Sequence, residues 1–355
     1  MSSIPQTATE QDMPAAKRSD TVIMGHQDFL SVLFRSIGAE LYKLRRRAMS
    51  KILLLIATLI MIITFLFPAL GALANNSPLP QASCTTDSNG QQHCTPQSLQ
   101  DTARQVIAEK IKADISAPLR LPNSLALSVT VINLVGTISL IILTGTIVGS
   151  EYGIGTIRLM LIRGPTRTQF FLAKIGAVII YLLATLFLLI LVGIIVGALF
   201  NLTTGIAVDF SFFTAEWIVH AILYVLITAL GLFVYSMIAL CLATLGKTTA
   251  AGIAGALIWW FFESVLGAVL TAIGFLNKGP VGDFLQSIPD YFIGNNISAL
   301  RDHQNQYLIN GVGQATSNAN TQNLSDMHAI IVLAIYLVVF IGVAWWVNQQ
   351  RDVTN

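Results

Sequence analysis

Residues 52–74 read ILLLIATLIMIITFLFPALGALA, an apolar run without one charged side chain. A helix that crosses the hydrocarbon of a bilayer needs about 20 such residues. Five further runs qualify: Leu125–Ser150, Ile175–Phe200, Trp217–Ala243, Ala250–Leu276 and Ala329–Val347. They are too long and too evenly apolar for half-buried strands, and they lack the alternation of a membrane β-barrel. No internal repeat is visible. The expected fold is an all-α integral membrane protein with six transmembrane helices.

Composition agrees. Of 355 residues, 54% are hydrophobic and 11% charged, where a soluble domain carries about 25% charged residues. At a mean hydropathy of +0.70, the chain cannot cover a water-facing surface with polar side chains. A soluble enzyme, a disordered hub and a secreted disulfide scaffold are excluded. The net charge of +2 gives no nucleic-acid footprint. Orientation follows from where Lys and Arg fall. With the N-terminus inside, only Arg104, Lys110, Lys112, Arg120, Lys278 and Arg301 lie outside. Both termini are therefore expected in the cytoplasm.

Residues 1–28 are polar and lack the basic-then-apolar order of a cleaved signal peptide, which predicts a flexible cytoplasmic tail. In residues 29–51, Leu30, Leu33, Phe34, Ile37, Leu41 and Leu44 recur at helical steps, followed by Lys43, Arg45, Arg46 and Arg47. This predicts an amphipathic helix in the inner leaflet, the plainer alternative being a basic anchor for the first span. The outer loop 75–124 carries Cys84 and Cys94, ten residues apart, read as a disulfide. A metal site using them with His93 lacks a fourth ligand. The second half of that loop, from Leu99 to Ile115, has the rhythm of a short amphipathic helix. The other large outer loop, 277–328, has an apolar stretch around Phe284–Ile293 suited to dipping back into the membrane, then a polar run expected in solvent. Residues 349–355 form a short cytoplasmic end.

The segment between the second and third spans, residues 151–174, reads EYGIGTIRLMLIRGPTRTQFFLAK. Ile154, Ile157 and Leu161 share a helical face, Gly164-Pro165 breaks the helix, and Thr166 can cap the next one. A short helix with exposed apolar surface is thus predicted across the cytoplasmic mouth, suited to a protein partner. Glu151, Gly155, Thr156, Arg158, Pro165, Arg167 and Lys174 resemble the matching motif of the membrane subunits (permeases) of type-2 ATP-binding-cassette transporters. The topology resembles that family along the whole chain. The resemblance implies that residues 151–163 form a coupling helix seated on a separate ATPase, with Arg163 on the same contact. Glu151 and Arg158 are then expected to orient it. It further implies two ABC ATPase subunits that hold the ATP and Mg, a second permease copy, identical or paralogous, and the cytoplasmic membrane of a bacterium. No cofactor is expected on this chain itself. The plain alternative is that Arg158, Arg163 and Arg167 only satisfy the inner positive charge rule.

Of the charged residues, only Glu263 falls within a predicted span. An intramembrane acid is a candidate for the substrate path, where it would meet a cationic cargo; the alternative is a structural hydrogen-bond acceptor. Trp259, in a Trp-Trp-Phe-Phe run, and His220, near the outer end of the fourth span, join it as path candidates. Packing and interface roles are their plainer readings. Gly246-Lys247-Thr248-Thr249 resembles the tail of a phosphate-binding loop but lacks the upstream Gly, so it reads as a tight turn. No residue set for catalysis or for a metal is present. The function expected is an exporter's permease subunit. The rivals are an intramembrane enzyme, an ion-coupled secondary transporter, and a non-transporting membrane anchor or sensor.

Overall fold

The computed structural model describes the chain apart from residues 1–28, 75–83, 87–91, 95–105, 108–109, 112, 155–165, 205–209, 211, 278, 309–323 and 351–355. The N-terminal tail, most of loop 75–124 and the positions Gly155, Thr156, Arg158, Arg163 and Pro165 therefore lie outside the described residues. Among those described, six helices are long and apolar enough to cross a membrane, at the six predicted places. The chain is a helical, multi-pass membrane protein.

The helices are α1 (Phe29–Arg46), α2 (Ala48–Ala74), α3 (Asn123–Val131), α4 (Thr137–Ile154), α5 (Arg167–Thr204), α6 (Ala215–Gly246), α7 (Thr249–Leu276), α8 (Pro280–Ser287), α9 (Ile293–Leu308) and α10 (Asp326–Gln350). A π-helical turn, Ile132–Gly136, joins α3 to α4 inside one span. Hydropathy marks where a helix crosses lipid, but the helices run on to their polar caps. α5 begins at a capping box: Gln169 N–H donates to Thr166 Oγ1 at 3.2 Å, and Thr166 N–H to Gln169 Oε1 at 2.9 Å. Thr214 caps α6 and Thr248 caps α7 with the side-chain oxygen alone, accepting from Trp217 N–H and Ala251 N–H. The Gly246–Thr249 stretch is thus a turn, with Lys247 in the left-handed region at φ 52°.

α6 is the centre. It is buried mainly from Thr228 to Thr244 and packs against α4, α7, α9 and α10. Hydroxyl groups inside this core bond within their own helices. Ser128, Thr228, Ser236 and Thr244 each donate to the carbonyl four residues earlier, at 2.6–2.9 Å. α2 buries one stripe, Ala57, Met61, Phe65, Ala69 and Ala72, while Leu55, Phe67 and Leu70 stand exposed on its other side. Comparable exposed faces on α5, α7 and α10 form an apolar girdle of the kind lipid covers.

Two expectations are corrected. The helix expected over 29–51 ends at Arg46, and the chain breaks at Arg47 before α2 begins. Arg47 turns back to donate to Thr146 O at 3.3 Å and Ser150 Oγ at 3.2 Å. α1 packs along α5; its protein-facing stripe holds Leu33, Ile37, Glu40 and Leu44, whereas Leu30 and Phe34 of the predicted stripe point away. The described part of loop 277–328 is largely helical. α8 returns along α7, with Gln286 beside Gly274 and Phe292 beside Gly267. α9 then reverses and climbs along α6, setting Ile297 against Gly231 and Leu308 beside Tyr224. The α8–α9 hairpin reaches the middle of α7. Part of the run expected in solvent is buried on α6, with Gln304 and Asn305 each 9% exposed.

In the loop 75–124, strands β1 (Cys84–Thr86) and β2 (Gln92–Cys94) pair antiparallel with Cys84 opposite Cys94. Directly opposed residues in such a ladder have Cα atoms roughly 4.5–5.5 Å apart, inside the range a disulfide bridges. The expected outcome of non-reducing peptide mapping is one cross-linked peptide pair, lost on reduction and absent from Cys84→Ser. Recovery of both thiols free from the oxidised preparation would refute the bond. The rhythmic helix expected over 99–115 falls mostly outside the described residues.

Candidate functional site

Two polar constellations stand inside this apolar protein. The first lies at the end of the bundle where the 155–165 segment leaves α4 and enters α5. Glu151, at the end of α4, is 5% exposed, and Lys174, in the first turns of α5, is 3% exposed. Their side chains form a direct ion pair. The other carboxylate oxygen of Glu151 takes Lys43 Nζ of α1 at 3.1 Å, and Lys43 also binds Glu40 at 2.9 Å. Burial opposes the Lys43 charge, yet the two carboxylates outweigh it and hold the ammonium above its ordinary pKa. Two acids and two ammonium groups thus balance in a site where Glu40, Glu151 and Lys174 are buried and only Lys43 stays in part open to water. Lys174 also lies over the Phe170 ring at 4.6 Å.

The start of α5 is tied in two further directions. Arg167 Nη1 donates to Gln349 O at 2.9 Å, Gln349 Nε2 to Thr168 Oγ1 at 2.9 Å, and Asn348 Nδ2 to Arg167 O at 3.3 Å. Gln169 Nε2 reaches Phe29 O at 3.3 Å. So α1, α4, α5 and the end of α10 meet around the two ends of one short segment. Of the predicted coupling residues, Glu151 and Arg167 are described, and they sit on opposite flanks of this cluster. Glu151 bonds to Lys174, a residue of the same motif, and to Lys43, one of the basic residues beside the first span. Pairing partners 23 and 108 residues away leave no local signal.

The second constellation surrounds Glu263, which is 8% exposed on an unbroken α7. Its carboxylate accepts Gly294 N–H of α9 at 2.7 Å and Tyr235 OH of α6 at 3.3 Å. The first N–H groups of a helix have no partner inside it, and a carboxylate there also meets the positive end of the helix dipole. Glu263 therefore anchors the inner tip of the α8–α9 hairpin. The tip is closed by Asn295 and Asn296, whose amides donate to Pro289 O at 3.0 Å and to Asp290 O and Phe292 O at 2.7 Å. Beside it opens a cavity of about 490 Å³.

The other path candidates do not share that cavity wall. Trp259 packs edge-on against Tyr336 and Phe340 of α10 and its indole N–H also reaches the Glu263 carboxylate, while its neighbour Trp260 lines the cavity. His220 bonds Gln304 Oε1 at 2.7 Å and stacks on Tyr307, on the rising arm of the hairpin. Tyr235, Gly294 and Asn133 were not singled out in the sequence. The π turn that carries Asn133 has no signature in hydropathy.

A family model described as "Protein of unknown function (DUF2705)" matches residues 125–354. The chain belongs to the DUF2705 family. Comparison with curated proteins and with solved structures gives no match. The DUF2705 region contains Glu151, Lys174 and the whole Glu263 site, whereas Lys43 and Glu40 come from α1, ahead of it.

Proposed function

We propose that this chain is the membrane-spanning permease subunit of an ATP-driven ABC exporter of the type-2 kind. It would lie in a bacterial cytoplasmic membrane with both termini inside, α1 in the inner leaflet and residues 151–163 as the coupling helix. The observation that carries this reading is the buried Glu151–Lys174–Lys43 cluster. It clamps both ends of the 155–165 segment to α1, while Arg167 ties the same corner to α10. A force applied to that segment cannot be absorbed by loose loop ends. It moves α4, α5 and α1 as one body, which is what transmission from a partner to a transport path requires. Two ATPase subunits would supply ATP and Mg beneath a pair of permease chains.

The test is purification of the tagged full chain from its native membrane in mild detergent, with co-purifying proteins identified by mass spectrometry. An ATPase of the ABC class is expected with the native chain and lost with Arg158→Ala. Arg158 is the variant to use, because changing Glu151 would break the buried pair itself. Recovery of no such ATPase, with the preparation monodisperse, would overturn the proposal. ATPase recovery from both chains would keep the partner and remove Arg158 from the contact.

A further inference from the structure

The capping role of Glu263 explains the carboxylate but not the space beside it. The cavity is walled along one face of α7 by Trp260, Glu263, Ser264, Gly267, Ala268, Thr271 and Phe275. Facing them are Phe292, Gly294, Asn295 and Ser298 of the hairpin, Tyr235 of α6, and Asn133 from the π turn. Single π turns inside α-helices occur frequently at functional sites. At about 490 Å³, the space falls within the roughly 300–1,000 Å³ of small-molecule pockets. No Lys, Arg or His among the described residues pairs with Glu263. One buried carboxylate, hydroxyl and amide groups at its flanks and aromatic walls stand together without a cation.

We infer that this cavity is a binding site for an organic cation, with an ammonium group at Glu263 and an apolar body against Trp260, Phe292 and Phe275. Aromatic faces attract such a cation, more strongly in a desolvated site. A bare metal ion fits less well: hard cations take six or more oxygen ligands, and among the described residues no three acidic, His or Cys side chains converge. The position also suits a path. The hairpin enters from the end of the bundle opposite Glu151, since Gly149 and Thr249 meet at the Glu151 end while α8 starts beyond Leu276. As the cargo class of the exporter, the inference rests on the permease reading; as a binding site, it stands on the cavity alone.

Isothermal titration of the full chain in nanodiscs, with empty discs subtracted, tests it. The probes are 4-phenylbutyltrimethylammonium and the neutral 4-phenylbutanol. The native chain is expected to bind the cation and not the alcohol. Glu263→Gln keeps an oxygen for Gly294 N–H but removes the charge, and should weaken cation binding by about 30-fold or more. Ala268→Trp fills the cavity and leaves Glu263 in place; it should abolish binding and carries the test alone if the first variant is not monodisperse. Equal binding of both probes, binding of neither, or full retention by Glu263→Gln or by Ala268→Trp would each overturn the inference. The two proposals fail separately. Cation binding without a co-purifying ATPase keeps the site and removes transport, whereas ATPase recovery without cation binding keeps the permease and removes this cargo class.

Discussion

Glu151→Ala is expected to lower the thermal midpoint of the detergent-purified protein by about 5 °C. The substitution strands Lys174, which is 3% exposed and paired to Glu151. An ammonium left buried without its partner costs about 3–5 kcal/mol, and each kcal/mol is worth roughly 1–2 °C in a chain of 355 residues, because the unfolding entropy grows with length. Lys43 loses one of two carboxylates but keeps Glu40. The double variant Glu151→Leu with Lys174→Leu removes both charges and fills the space with hydrocarbon, so it should regain at least half of the loss. A buried ion pair replaced whole is often neutral in stability. Thermal unfolding followed by size-exclusion fluorescence reads both. A single variant as stable as the native chain would mean that water reaches Lys174.

Gly149→Ala is expected to be nearly as damaging, for a steric reason. A Cβ at Gly149 overlaps backbone atoms of Thr248 and Thr249, so α4 and the start of α7 touch there with no side chain between them. Backbone cannot rotate aside as a side chain does, and overpacking of this kind costs about 3 kcal/mol. Gly38 on α1 has nothing within 4 Å of the same position. Gly38→Ala should be neutral or stabilising by up to about 1 kcal/mol through helix propensity. The contrast between two identical substitutions, read in one thermal assay, isolates the contact. Equal effects would show that α4 and α7 do not approach as described.

Much of this was legible before any coordinates. Uncharged runs of span length can do little but cross a bilayer as helices, so all six crossings lie where hydropathy put them. Thr166 was recognisable as a cap because a cap is a local pattern. The folding of loop 277–328 was half visible: its apolar stretch suggested a dip, but nothing local revealed that α9 would carry Gln304 and Asn305 into the α6 interface. Glu263 stood out as the one acid in a span, yet its partners, Tyr235 and Gly294, are 28 and 31 residues away. A tyrosine in an apolar run and a glycine at a helix start announce nothing alone.

The sequence by itself determined that this is a helical membrane protein, where its crossings lie, and which few charges had to be explained. Those conclusions depend on transfer of side chains from water to lipid, a sum over neighbours along the chain. The tertiary structure decided which charges neutralise one another and where a cavity remains. It joined Glu151 to Lys174 and Lys43 and set Glu263 under the tip of a hairpin. A charge-assisted hydrogen bond forms only when its two atoms come within about 3 Å of each other, whatever their separation in sequence. Only the packing of one helix against another brings those atoms together.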